Sequence, residues 1–100
     1  MTAILLHPDD NILVVTAAIA PGDAVPIDAA AVIVPMAVQV GHKIARRALS
    51  LGETVIKYGA PIGSMTAPAA AGDHVHLHNM KSDYIETHSR ETASGARRAS

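Results

Sequence analysis

The chain has 100 residues, with 8 Lys plus Arg against 9 Asp plus Glu and a formal charge of -1, which leaves room for one domain and no basic stripe for nucleic acid. Hydrophobic residues make up 49%, yet 19 of them are Ala and the only aromatic residues are Tyr58 and Tyr84. The core is therefore aliphatic and thin, each large buried side chain contributing about 1.5–3 kcal/mol, and such a core favours reliance on a partner over self-sufficient catalysis. The absence of Cys excludes disulfides, thiolate zinc sites and Cys nucleophiles. The start, MTAILLHPDD, lacks the basic region of a signal peptide, and no window reaches the roughly 18 apolar residues of a membrane span, so the expectation is a soluble cytoplasmic protein.

Runs rich in Val, Ile and Leu, bounded by Gly, Pro or Asp, predict strands in chain order at 3–6, 11–16, 31–34, 43–46, 54–58, 62–66 and 74–80. The turn His7-Pro8-Asp9-Asp10 separates the first two. Residues 21–40, with Pro21, Pro26 and Pro35, read as a loop or an irregular hairpin. A helix over 41–51 competes with the fourth strand, because Ile44, Ala48 and Leu51 share a helical face; it carries less weight, being short and ending at Gly52. Tyr58-Gly59-Ala60-Pro61 and Ala71-Gly72-Asp73 mark later turns. After Met80 the composition shifts to Ser, Thr, Arg and Glu, which places a domain at 1–82 and a flexible polar tail at 83–100.

A short repeat runs through this pattern. Gly22-Asp23-Ala24-Val25, Gly52-Glu53-Thr54-Val55 and Gly72-Asp73-His74-Val75 each read Gly-acid-x-Val. The Gly supplies a positive φ and the β-branched residue opens an extended segment, so each copy is a turn followed by a strand. Spacings of 30 and 20 residues are too irregular for a solenoid and suit three similar corners of one compact β unit.

Chemistry concentrates in the histidines. His74, His76 and His78 alternate, so on a strand they form a row on one face at roughly 7 Å per pair, opposite Val75 and Leu77. Such a row transfers protons or binds an anion, or it is merely a solvated polar edge. A straight strand seldom closes three ligands around one ion at about 2.1 Å, so a metal would take at most two of them plus residues from elsewhere, and no metal site is expected within the chain. His42 and Lys43 after Gly41, and Lys57 before Tyr58-Gly59, offer positive charge and donors for a carboxylate, although isolated lysines on strands are usually solvated. There is no phosphate-cradling Gly-rich loop, no G-x-S-x-G and no H-E-x-x-H.

Three segments together, Gly41-His42-Lys43-Ile44-Ala45, Gly52 through Gly63, and Ala71-Gly72-Asp73-His74-Val75-His76-Leu77-His78-Asn79, resemble the small SAF-type domain of the altronate and galactarate dehydratase family. The opening Leu5-Leu6-His7-Pro8-Asp9-Asp10-Asn11-Ile12 is similar too, so the resemblance covers roughly residues 3–82. It implies an all-β architecture, a small β-clip. It also implies a lyase acting on a 2-hydroxy acid: dehydration of a sugar acid to a 2-keto-3-deoxy acid or, as the alternative, sulfite elimination as in sulfolactate sulfo-lyase. The family domain occurs as the N-terminal part of a dehydratase or as a separate small subunit, and this chain matches the separate form, acting with a large catalytic subunit. A divalent metal, commonly iron, belongs to that large subunit. Carried onto this sequence, the resemblance implies His76 and His78 as catalytic residues, and His42, Lys43, Lys57 and Asn79 as substrate-binding ones. Two other classes stay open: a non-catalytic sugar-binding or assembly module, and a free-standing homo-oligomer whose thin core is completed by its own copies.

Overall fold

The computed structural model describes residues 2–83, and within them the chain is all-β. Its nine strands are β1 (Ala3–Ile4), β2 (Ile12–Val15), β3 (Ala24–Ile27), β4 (Ala30–Ile33), β5 (Lys43–Ala45), β6 (Thr54–Lys57), β7 (Ala60–Met65), β8 (His74–Val75) and β9 (Met80–Ser82). They form a central sheet in the order β1-β2-β5-β8, a hairpin β3-β4 and a second sheet β6-β7-β9, with every pairing antiparallel. No helix of the described residues is long and apolar enough to cross a membrane.

Alternation on β2 and β5 divides the interior in two. Leu13, Val15 and Ile44 enter one core with Ala3, Ile19, Val25, Ile27, Val34 and Val38. Ile12 and Ala45 enter the other with Leu49, Val55, Met65, Ala69, Val75 and Met80. Successive side chains of a strand point to opposite faces, so a sheet covered on both sides reads as a nearly continuous apolar run, as Ile12-Leu13-Val14-Val15 does.

Four corners of one design join the strands. At Gly22, Gly41, Gly52 and Gly72 the φ lies between 83° and 90°. Each of these glycines donates its N–H over 2.8 Å to a strand-end carbonyl, those of Val34, Val15, Met65 and Ala45 respectively. The residue after each glycine closes the turn onto the carbonyl three positions back. In three corners an acid then accepts from the first turn residue: Asp23 from the Ala20 N–H, Glu53 from Ser50 and Asp73 from Ala70. These are the three repeats read in the sequence. The fourth corner escapes that pattern because His42 stands in the acid's place.

The differences from expectation have local causes. Residues 21–40 contain a regular hairpin, β3-β4, whose Pro26 is tolerated because β3 pairs on one side only. Residues 41–51 are not helical: Ile44 and Leu49 enter different cores, and the segment leaves β5 for a bridge between Leu49 and Ala69. The predicted strand at 74–80 stops at Val75 and resumes at Met80. The expected tail lies outside the described residues, apart from Asp83.

A buried carboxylate fixes the second sheet against the first. Asp10, 1% exposed, accepts the N–H groups of Tyr58 and Gly59 at 2.9 and 2.8 Å. Those two residues take positive φ in the β6-β7 turn, a conformation costly for Tyr and held by these bonds. Asn11 adds the same service one residue on, donating to the Thr54 carbonyl and accepting the Ile56 N–H, both at 2.8 Å. Arg46 bonds the carbonyls of Pro8 and Asp10 and pairs with Asp28, which closes the edge. Replacing Asp10 with Ala strands two part-buried amides and is expected to cost about 2–3 kcal/mol in urea unfolding, whereas Asp10→Asn, which keeps one accepting oxygen, costs about half as much.

Candidate functional site

Histidines converge where β5 meets β8. Ile44 pairs with His74 and Lys43 with Val75, so continuing this antiparallel register by one position sets His42 across from His76. The rings follow. His42 Nδ1 lies 2.9 Å from His74 Nε2, and the centroid of the His42 ring is 5.0 Å from that of His74 and 4.8 Å from that of His76. His74 and His76 stack at 5.4 Å with an interplanar angle of 10°. One nitrogen from each of His42, His74 and His76 lies within 4.8 Å of the other two. His78 sits beside the cluster, 5.3 Å from the His74 ring, and is exposed.

This geometry corrects the histidine row. His76 and His78 are not on a strand: the chain turns at 76–79, where the N–H groups of Asn79 and Met80 both donate to the His76 carbonyl. Asn79 shapes that turn. Its buried Oδ1 accepts the His76 N–H at 2.9 Å and its Nδ2 donates to the His74 carbonyl at 2.8 Å. The turn folds His76 back toward His42 instead of carrying it along a straight edge. For the same reason a third imidazole joins two of the row, because His42 arrives from another strand to complete a three-imidazole group.

The lysines stand apart from the ring cluster. Lys43 pairs with Val14 on one side and Val75 on the other, and paired residues share a face, so alternation assigns it to the face opposite His42 and His74. It is half-buried, and removal from water, then the charge of Lys57 at the end of β6, lower its pKa. Burial likewise lowers the pKa of His74, followed by the charges of His42, His78, His76 and Lys43. His76 shifts the same way, with loss of water ahead of His42 and Lys43. The six positions expected from the sequence thus separate into a cluster (His42, His76, with His78 at its rim), a pair of coupled cations (Lys43, Lys57) and a turn-shaping amide (Asn79). His74, part of the expected histidine row but given no role among those six positions, is the hub that touches all three other rings. Its neighbourhood depends on the β5-β8 register, which leaves no mark in the sequence.

Two measurements follow. With its native pKa below that of the unfolded chain, His74 is protonated first in the unfolded state, so stability is full above about pH 6.5 and falls as the pH drops through the native value. Denaturant midpoints between pH 5 and pH 7 should therefore rise with pH, and less steeply in His74→Asn. The substitution His42→Asp restores at Gln39 the acid cap of the other three corners and should raise stability by about 0.5–1 kcal/mol, as read by urea unfolding, while dissolving the ring cluster.

Comparison with known proteins accords with this architecture. Residues 1–83 match the model of the altronate/galactarate dehydratase SAF domain. The chain is 42% identical over 83 residues to altronate dehydratase of Escherichia coli strain K12, which covers 83% of this chain and 17% of that protein. It is 31% identical over 80 residues to altronate dehydratase of Bacillus subtilis strain 168, 80% of this chain and 16% of the relative. With the (2R)-sulfolactate sulfo-lyase subunit alpha of Paracoccus pantotrophus it shares 52% identity over 44 residues, 44% of this chain and 66% of the subunit. The chain therefore spans about one-sixth of the dehydratases it matches. With residues 1–83 inside the family model, the chain belongs to the altronate/galactarate dehydratase SAF domain family.

Proposed function

We propose that this chain is the small SAF component of a hydroxy-acid lyase and works with a separate large catalytic subunit, dehydrating a sugar acid of the altronate or galactarate type. The observation that carries the reading is the convergence of His42, His74 and His76, with His78 at the rim, in a chain of this family. In the elimination a base takes the proton α to the carboxylate, the β-hydroxyl leaves with a proton as water, and the resulting enol becomes the 2-keto-3-deoxy acid. His76 and the exposed His78 hold and return protons, and His42 relays through its 2.9 Å bond to His74. Lys43 and Lys57 supply the positive field that favours a carboxylate. Asn79 acts as a positioning residue, holding the turn that presents His76.

A second reading, the alpha subunit of a sulfolactate sulfo-lyase, draws on the 52% identity with the Paracoccus subunit. There sulfite is the leaving group, while the carboxylate and the acidified carbon stay the same. Both readings expect any divalent metal used in the elimination, iron included, to sit in the large subunit. The test is to isolate the tagged chain with its native partner and assay formation of a 2-keto acid from altronate, galactarate and sulfolactate. The expected result is turnover of one of the three by the complex and none by the chain alone, with kcat lowered at least tenfold in His76→Ala while the complex stays intact. Unchanged kcat in both His76→Ala and His78→Ala, with weakened association, would replace the lyase role with that of a docking module.

A further inference from the structure

We infer that His42, His74 and His76 form a binding site for one first-row divalent transition metal ion, held by this chain itself. The inference uses the same histidines as the lyase reading but does not rest on it: an ion on His42, His74 and His76 would take the nitrogens of the proton relay, and metal titration of the chain alone tests it separately.

The geometry is close to what an ion needs. Three imidazoles at metal–nitrogen distances of about 2.1 Å place their nitrogens roughly 3.0–3.4 Å apart, according to coordination number. His42 Nδ1 and His74 Nε2 are already 2.9 Å apart, and one nitrogen from each of the three rings lies within 4.8 Å of one from each of the others. Closing the remaining gap takes a rotation of His76, a part-exposed side chain on a turn and not a core residue.

The chemistry agrees. A hydrogen bond between two imidazoles requires a lone pair on one of them, so the His42–His74 contact as it stands presents one ring nitrogen in the unprotonated form that ligates metal. Among the described residues no carboxylate joins the group, so an ion held there keeps its full double charge, with positions open beyond the three nitrogens. Imidazole donors of this kind suit zinc, iron, cobalt or nickel more than calcium or magnesium, which take oxygen ligands. Asp73, which precedes His74 in the chain, is engaged by the Ala70 N–H.

The backbone prepares the site. His74 is fixed by its strand, and His76 by the two bonds through Asn79. His42 occupies the corner position at which the other three corners carry an acid bonded to the turn, and its ring is thereby available to the cluster instead. With the main chain of the ligands already ordered, only ring rotation, chiefly of His76, is left to be fixed when the ion enters.

The test is titration of the chelator-treated full chain with Co²⁺, followed by visible d–d absorption, with Zn²⁺ competition as a second reading. The expected result is saturation at one ion per chain, bands with the intensity of a four- or five-coordinate ion, and displacement by Zn²⁺. His42→Ala and His76→Ala should each weaken binding about tenfold or more, while His78→Ala leaves it unchanged. Should a variant lose its amide NMR dispersion, Zn²⁺-induced shifts of the imidazole nitrogens in the unmodified chain decide instead, and they must fall on His42, His74 and His76 and spare His7. Absence of saturation, saturation undiminished in folded His42→Ala, or shifts centred on other histidines would each overturn the inference.

Discussion

The central strands β2 and β5 carry cores on both faces, and the rest of the molecule is arranged around that demand. Ile12 and Leu13 are adjacent in sequence yet enter different interiors, as do Ile44 and Ala45. A chain with no Phe or Trp and 19 alanines cannot build one deep core, so it builds two shallow ones that share a wall. Each core is then closed by a separate small sheet, and a register slip of one residue in β2 or β5 would exchange their contents.

The same alternation sorts the chemistry. His42 and His74 fall on one face of the β5-β8 pair, and Lys43, between Val14 and Val75, falls on the other. Imidazoles and lysine are thereby separated across the sheet, though the charge of Lys43 still acts on His74 and His76. At the far side of the same sheet Asp10 and Asn11 satisfy the backbone of the β6-β7 hairpin that carries Lys57, so the position of that cation depends on a buried carboxylate remote from the histidines.

The four corners keep one turn geometry with different residues after the glycine. In three of them the acid is spent on the turn, at Asp23, Glu53 and Asp73. In the fourth the glycine geometry persists without the acid, at Gly41-His42. Type II corners of this sort need the positive φ of glycine far more than they need the capping carboxylate, and the position after the glycine is therefore open to a ligand-bearing side chain.

Much of this was legible in residue order. The all-β class, most of the strands, and three of the four corners follow from β-branched runs punctuated by glycine and proline, because these are local properties of φ and of side-chain branching. The β3 strand was obscured by Pro26, whose tolerance depends on an open edge and not on its neighbours in sequence. The richness of the chain in histidine around 74–78 was plain too. What the sequence alone could not decide was the partition of those residues: that the strand at His74 ends after two residues, that Asn79 bends the chain back, and that β8 pairs with β5 in the register that brings His76 to His42. Local chemistry determines which residues can bend, extend or ligate; only the long-range pairing of strands 32 residues apart, set by burial on both faces of the sheet, determines which of them meet.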